Sequence, residues 1–286
     1  MVSAIYVTKH DGTRQLFDKE KIIRTCLRMH APEQAAKAIA DRIEAKAYDG
    51  ISTKQVLRMI FAELKKYKPE VAHQIDLRTS ISLLRPKPDF ENFVAMLLRA
   101  YGYSVQTNQI VYGKCVDHEI DAIATKGNDT VYVEVKHHYQ PHTYTGLGVF
   151  LETQARFEDL RAVRSGRRIN FTKVLIVCNT KISEHAERYA KCKGINYIAW
   201  KAPMGRGLEQ LIESKKLYPI TFLKALDRES EAMLGDAGII LLKQLVKADV
   251  NKLSKRTKLP KAKLTELRKK AEKILSGLKS GPDIEL

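Results

Sequence analysis

Val131-Tyr132-Val133-Glu134-Val135-Lys136 decides the reading of this chain. Side chains alternate along a strand, so the three valines share one face and Tyr132, Glu134 and Lys136 share the other. A carboxylate and an ammonium thus stand side by side. Just upstream, His118-Glu119-Ile120-Asp121-Ala122-Ile123 reads as the neighbouring antiparallel strand, with Asn128-Asp129 in the turn between them. Phosphodiester hydrolysis needs a hard cation to neutralise a phosphate oxygen and activate water. Mg²⁺ takes a few carboxylate oxygens and keeps several waters. Asp121 and Glu134 suit it, or Mn²⁺, with the carbonyl of Val135 as a further oxygen. Lys136 then either orients the attacking water or stabilises charge on the phosphorus. The residues alone leave both roles open.

The surroundings extend this into an α/β core. Residues 89–101 (DFENFVAMLLRAY) predict a helix with Phe90, Phe93, Val94, Leu97, Leu98 and Tyr101 as its apolar stripe, stopped at Gly102. Strands are expected over residues 103–110, 118–124 and 130–136, and again over 173–178 and 195–200. Ahead of the helix, Arg85-Pro86-Lys87-Pro88 reads as a linker, because two prolines remove donors and disfavour helix before them.

The middle segment, about residues 89–218, resembles the PD-(D/E)xK nuclease superfamily, in particular restriction endonucleases of the Mrr type. The carriers are Phe90-Glu91, Gly102-Tyr103-Ser104-Val105, Ile120-Asp121, Val133-Glu134-Val135-Lys136, and Gln154 on the following helix. The resemblance implies that Asp121, Glu134 and Lys136 are the catalytic set, with Glu91 and Gln154 joining it as site-shaping or ligand residues. Where a DNA-contacting loop is expected, this chain has His137-His138-Tyr139-Gln140-Pro141-His142.

The first segment predicts a small hairpin and a helix bundle. Residues 4–8 and 15–17 read as short strands around an Asp11-Gly12 turn. Helices are expected from Asp18, over 32–47, over 53–67 after a Ser52 or Thr53 cap, and over 69–84 after Pro69. The stretches 7–12 (VTKHDG), 17–22 (FDKEKI) and 48–53 (YDGIST) resemble the ATP-cone domain over roughly residues 3–87. That resemblance implies binding of ATP or dATP as a regulatory ligand, by Val7, Lys9, His10, Asp11, Gly12, Lys21 and Thr53. His10 departs from the family's usual arginine. A GxxxxGK[ST] loop is lacking, which argues for binding without turnover.

The last segment predicts helices over 221–234 and 260–275, with a break at residues 235–239 (GDAGI). Leu264, Leu267, Ala271 and Ile274 share one face of the final helix. Residues 232–276 resemble a helix-hairpin-helix module. It implies sequence-independent contact with the DNA backbone through Gly238, Lys258, Lys261 and Lys263. Lys258 stands where that family has glycine.

The chain of 286 residues is long enough for two or three domains. Its fold class is therefore multidomain: a mainly helical ATP-cone (residues 1–87), an α/β restriction-endonuclease-like core with a mixed sheet (89–218), and an all-α C-terminal module (221–286). A net charge of +17 points to a polyanionic partner, and residues 247–273 are densest, with 11 basic against 3 acidic. Four scattered cysteines without a CxxC pair argue against a disulfide framework and structural zinc. The absence of a long apolar run or an apolar leader makes a membrane partner unexpected and a cytoplasmic location the expectation. The expected activity is metal-dependent DNA endonuclease tuned by ATP or dATP, acting as a homodimer or nucleotide-dependent oligomer. The alternatives are a branched-DNA resolvase and a non-cleaving, nucleotide-responsive DNA-binding regulator.

Overall fold

The computed structural model describes residues 4–29, 31–163, 169–224, 226–278, 281 and 284–286. The chain forms two compact units. One comprises Met1–Ile75, Leu223–Ala225 and Ala262–Lys279; the other comprises Asp76–Phe222, Leu226–Lys261 and Ser280–Leu286.

The first unit opens with the hairpin β1 (Tyr6–Thr8) and β2 (Arg14–Leu16), followed by α1 (Lys19–Arg28), α2 (Glu33–Glu44), β3 (Ile51–Ser52) and α3 (Thr53–Leu64). Gly12 takes φ +80° in the hairpin turn, a conformation that favours glycine. β3 pairs parallel to β1, giving the sheet order β2-β1-β3. Asp18 caps α1 by accepting from the Lys21 N–H, and Ser52 caps α3 in a capping box with Gln55. Ile22, Cys26, Ile39, Ile43, Ile60 and Leu64 fill the core.

The helix expected over 69–84 is two pieces. A 3₁₀ turn covers Pro69–His73, Gln74 is extended at φ −117°, and Asp76 caps a new helix, α4 (Leu77–Leu83), in the second unit. An aspartate accepting the Thr79 N–H starts a helix more strongly than the preceding turn continues one.

The second unit continues with α5 (Glu91–Ala100), β4 (Ser104–Tyr112), β5 (Asp117–Lys126), β6 (Asp129–Lys136), β7 (Tyr144–Thr145), α6 (Leu147–Arg161), β8 (Lys173–Cys178), β9 (Lys181–Ile182), α7 (Glu184–Lys193), β10 (Asn196–Ile198) and α8 (Leu208–Lys215). After a 3₁₀ turn at Ile220–Phe222 come α9 (Arg228–Asp236), α10 (Leu242–Lys247) and α11 (Val250–Thr257). The helix expected over 221–234 therefore begins late, at the Asp227 cap. α12 (Lys261–Gly277), which from Ala262 on belongs to the first unit, buries Leu264, Leu267, Ala271 and Ile274, the face its spacing predicts.

The main sheet is mixed, in the order β10-β8-β6-β5-β4. β4, β5 and β6 form an antiparallel meander, while β6, β8 and β10 run parallel. Tyr132, Ile120 and Ile176 pack with Phe150, Phe157 and Leu160 of α6, and α5 lies against β4 and β5. β6 is consequently buried on both faces, as central strands of helix-covered sheets are.

Residues 85–88 are not a free linker. Arg85 Nε donates to Asp89 Oδ2 at 2.6 Å, and Asp89 is 1% exposed. A π turn covers Pro86–Phe90, with the Phe90 N–H donating to the Arg85 carbonyl at 2.9 Å and Lys87 extended at a kink inside it, and α5 follows directly. Proline is tolerated there because first-turn N–H groups have no intrahelical partner.

Candidate active site

The site lies where β5 and β6 part company. Their ladder ends at the pair Ala122 and Val133. Beyond it β5 stays with β4 as far as Asp117, and β6 stays with β8 as far as Lys136. The Val135 N–H, which points the same way as that of Val133, loses its ladder partner. Asp121 Oδ2 accepts it at 2.7 Å. The splay thus aims Asp121 at the strand that carries Glu134. Both carboxylates are 8% exposed.

Glu134 is held from its own strand and from α6. Tyr132 Oη donates to Glu134 Oε2 at 2.9 Å, and Arg156 Nη1 lies 3.8 Å from the same oxygen. Burial raises the Glu134 carboxyl above its ordinary range, and the negative charge of Asp121 adds to the rise. Glu91 is raised by burial first and Asp121 second. Lys136 has no hydrogen-bond or ion-pair partner among the described residues. It lines a cleft of about 300 Å³ with Asp121, Glu134, Val135, Lys87 and Arg156.

Asp121, Glu134 and Lys136 therefore meet on one cleft, and Glu91 approaches it through Lys87, 3.3 Å from its Oε1. Gln154 is turned elsewhere: its Nε2 donates to Glu158 Oε1 at 2.7 Å. Arg156 takes the cleft side of α6 instead. Positions two apart on a helix point about 200° apart, so both cannot face the cleft. Among the described residues no three histidine, cysteine or carboxylate side chains gather as a metal-holding cluster. Two carboxylates and one main-chain carbonyl remain as the oxygen set.

Three cleft residues escaped the sequence. Lys87 sat inside the presumed linker; its only signal was the four-residue spacing to Glu91. Arg156 was masked by Gln154. His118 lines the cleft mouth and is fixed by Asp159 Oδ2 at 2.8 Å. Asp159 also accepts the Cys115 N–H, so α6 ties down the β4–β5 turn. His137 and His138 of the histidine stretch are held against the rest of the fold. His137 Nε2 meets the Ile81 carbonyl at 3.1 Å and His138 Nε2 meets Thr145 Oγ1 at 3.1 Å. Burial lowers both imidazoles, disfavouring their charged form.

In the first unit, Lys9, His10, Asp11 and Gly12 are exposed in the hairpin turn, and half-buried Val7 pairs with Ile51. The Asp11 carboxylate closes that turn by accepting from Thr13 N–H and Oγ1. The parallel pairing of Thr8 with Ser52 sets Lys9 and Thr53 at the same strand end. Lys21 opens α1, 3.8 Å from Asp18. Farther along, Gly238 follows α9 at φ +74° and Lys258 ends α11 at φ +58°. Arg256 Nη2 donates to the Ala237 carbonyl at 3.1 Å, which joins α11 to the α9 turn. Lys261 and Lys263 lie in the first turn of α12.

Three family models match the chain in succession. They are the ATP cone domain over residues 5–79, a restriction endonuclease model over residues 85–202, and the AF1548-like C-terminal domain over residues 218–275. An uncharacterized protein of Archaeoglobus fulgidus is 41% identical over 160 residues, covering 56% of this chain and 87% of that protein. The crystal structure of the protein of unknown function AF1548 superposes with a TM-score of 0.58 at 38% identity, over 65% of this chain and 97% of that one. The chain belongs to the AF1548-like family. It joins an ATP cone domain to a restriction-endonuclease domain and the C-terminal domain of that family. Among the described residues no helix is long and apolar enough to cross a membrane.

Proposed function

We propose that this chain is a divalent-cation-dependent endonuclease that hydrolyses DNA phosphodiester bonds, with its activity set by ATP or dATP on the ATP cone domain. One observation carries the reading: Asp121, Glu134 and Lys136 converge on a single cleft, with the Asp121 carboxylate fixed by the Val135 N–H. The restriction-endonuclease match over the same residues agrees with it.

The residues fit a hard cation. Two buried carboxylates on adjoining strands repel one another, and a cation between them relieves that cost. When bound, Mg²⁺ or Mn²⁺ supplies charge neutralisation at the phosphate and a more acidic water. Asp121 and Glu134 would hold it, with the Val135 carbonyl. Tyr132 and Arg156 keep Glu134 oriented. Lys136, without a hydrogen-bond or ion-pair partner among the described residues, orients the attacking water or steadies charge on the phosphate. The basic turns around Gly238 and Lys258, with Lys261 and Lys263, supply contacts to the DNA backbone.

The test is cleavage of supercoiled plasmid with Mg²⁺ or Mn²⁺, with and without ATP or dATP, beside Glu134→Ala. Nicking or linearisation by the wild type alone supports the reading. Inertness of the wild type on plasmid and on four-way junctions, with DNA binding intact, removes catalysis from it.

A further inference from the structure

Three carboxylates meet one lysine at the mouth of the cleft. Lys87 Nζ lies 2.9 Å from Glu119 Oε1, 3.3 Å from Glu91 Oε1 and 3.7 Å from Asp121 Oδ1. An ordinary surface pair joins two exposed groups and contributes little. Here one ammonium is shared by acceptors from two elements, α5 and β5, and two of the three are buried.

The backbone beneath Lys87 is anchored. Arg85 Nη2 bridges Asp89 Oδ1 at 3.0 Å and Asp236 Oδ1 at 2.8 Å, so the turn Pro86–Phe90 is tied to the end of α9. Gly235 lets that clasp close; a Cβ there would come within 2.7 Å of Arg85 Nη2 and 2.8 Å of Asp89 Oδ1. The lysine side chain itself is 58% exposed. A fixed root with an open path to solvent permits the ammonium to swing in and out.

The oxygens involved are those a divalent cation needs. Asp121 Oδ2 is committed to the Val135 N–H. Oδ1 is the oxygen left for a cation, and it is the one Lys87 approaches. We propose that Lys87 is a resident counter-ion of the nuclease site, which sits, held also by Glu91 and Glu119, at the Asp121 oxygen left for the cation and must vacate it when the divalent cation binds. Lys87 thereby sets the metal affinity of the site. It lowers the repulsion among the carboxylates without metal, and it opposes the arriving charge; both effects weaken metal binding. A DNA phosphate entering the cleft offers the displaced ammonium a new partner, so substrate and metal favour each other's binding. This inference rests on the metal-dependent reading above.

The test is a Mn²⁺ titration of the full chain without DNA, with free Mn²⁺ followed by electron paramagnetic resonance. The variants are Lys87→Met, Lys87→Arg and Asp121→Asn. Lys87→Met is expected to bind Mn²⁺ about tenfold more tightly than wild type, because a positive charge has left the site. Lys87→Arg, which keeps the charge, stays within about twofold of wild type on the same argument. Asp121→Asn loses the site. If Asp121→Asn loses Mn²⁺ but Lys87→Met binds no more tightly than wild type, the counter-ion role is wrong and the metal site stands. It is equally wrong if Lys87→Arg tightens as much as Lys87→Met. If neither wild type nor Lys87→Met binds Mn²⁺, or Asp121→Asn is without effect, both readings fall.

Discussion

Asp121 on β5 and Val135 on β6 are joined by a 2.7 Å hydrogen bond one step past the end of the ladder between their strands. The carboxylate does the work of a missing ladder carbonyl. It therefore has a structural duty alongside any chemical one, and the two are separable. Asp121→Asn keeps a side-chain oxygen for the Val135 N–H but loses the charge. It is expected to melt close to wild type while losing plasmid cleavage. Asp121→Ala leaves a buried N–H unpaired and should cost about 1–3 kcal/mol besides. Thermal denaturation beside the cleavage assay checks the pair; equal melting of the two variants contradicts the structural duty.

Lys136 presents the opposite case. It has no hydrogen-bond or ion-pair partner among the described residues, so its removal breaks none of the polar contacts they make. Lys136→Met is expected to leave the melting temperature unchanged and to lower cleavage by about 10²-fold or more, the scale for losing a charge-stabilising group. Retained cleavage would remove Lys136 from the chemistry.

Much of this site was legible because β6 states it in six residues: alternation puts Glu134 and Lys136 on one face, and pairing brings Asp121 beside them. Strand positions and the final helix face followed from the same periodicities. What escaped depended on distance in the chain. The Arg85-Pro86-Lys87-Pro88 stretch has linker composition, and only the Arg85–Asp89–Asp236 clasp turns it into an anchored turn. Nothing in a local window announces a partner 151 residues away. The expected helix over 69–84 failed because the Asp76 cap outcompeted continuation. The nucleotide and DNA assignments rest on motifs; the geometry adds that Lys9, His10, Asp11, Gly12 and Gly238 sit in exposed turns, while Lys21, Thr53, Lys261 and Lys263 lie in first turns of helices.

Glu231 on α9 gives the clasp a pH dependence. Burial, then the negative charge of Asp89, pushes its carboxyl up to about 7, against the opposing effect of Arg85 and Arg228. A carboxyl raised on folding favours the folded state while protonated. That contribution is complete below about 4.5, the ordinary glutamate value, and is lost as pH rises through about 7. Glu231→Gln should thus be more stable than wild type at pH 8, by about 1 kcal/mol after solvent screening is discounted. The gain should vanish near pH 4. Denaturant titrations at the two pH values decide it, and a gain independent of pH counts against the assignment.

Gly235 offers a mechanical test of the same clasp. Its φ is not in the left-handed region, so the requirement is space alone: an added Cβ meets Arg85 Nη2 at 2.7 Å and the Asp89 oxygens at 2.8 and 3.0 Å. Gly235→Ala is expected to cost about 1–3 kcal/mol, the usual range for overpacking. Because the turn Pro86–Phe90 leads into Glu91, a loosened clasp should also reduce cleavage. Unchanged melting would mean that Arg85 moves aside freely.

Lys258 ends α11 at φ +58°, where a side chain is strained and glycine is at ease. Lys258→Gly exchanges that strain for a more flexible unfolded chain, and a net gain of up to about 1 kcal/mol is expected. Its effect on DNA binding is a separate matter. If the ammonium contacts a phosphate, the slope of log affinity against log salt should fall by about one on substitution. If the backbone amides of the turn are the true contact, glycine should preserve affinity and slope alike, since it opens the approach. Measuring duplex binding across a salt series for wild type and Lys258→Gly separates these, and weaker binding with an unchanged slope would fit neither.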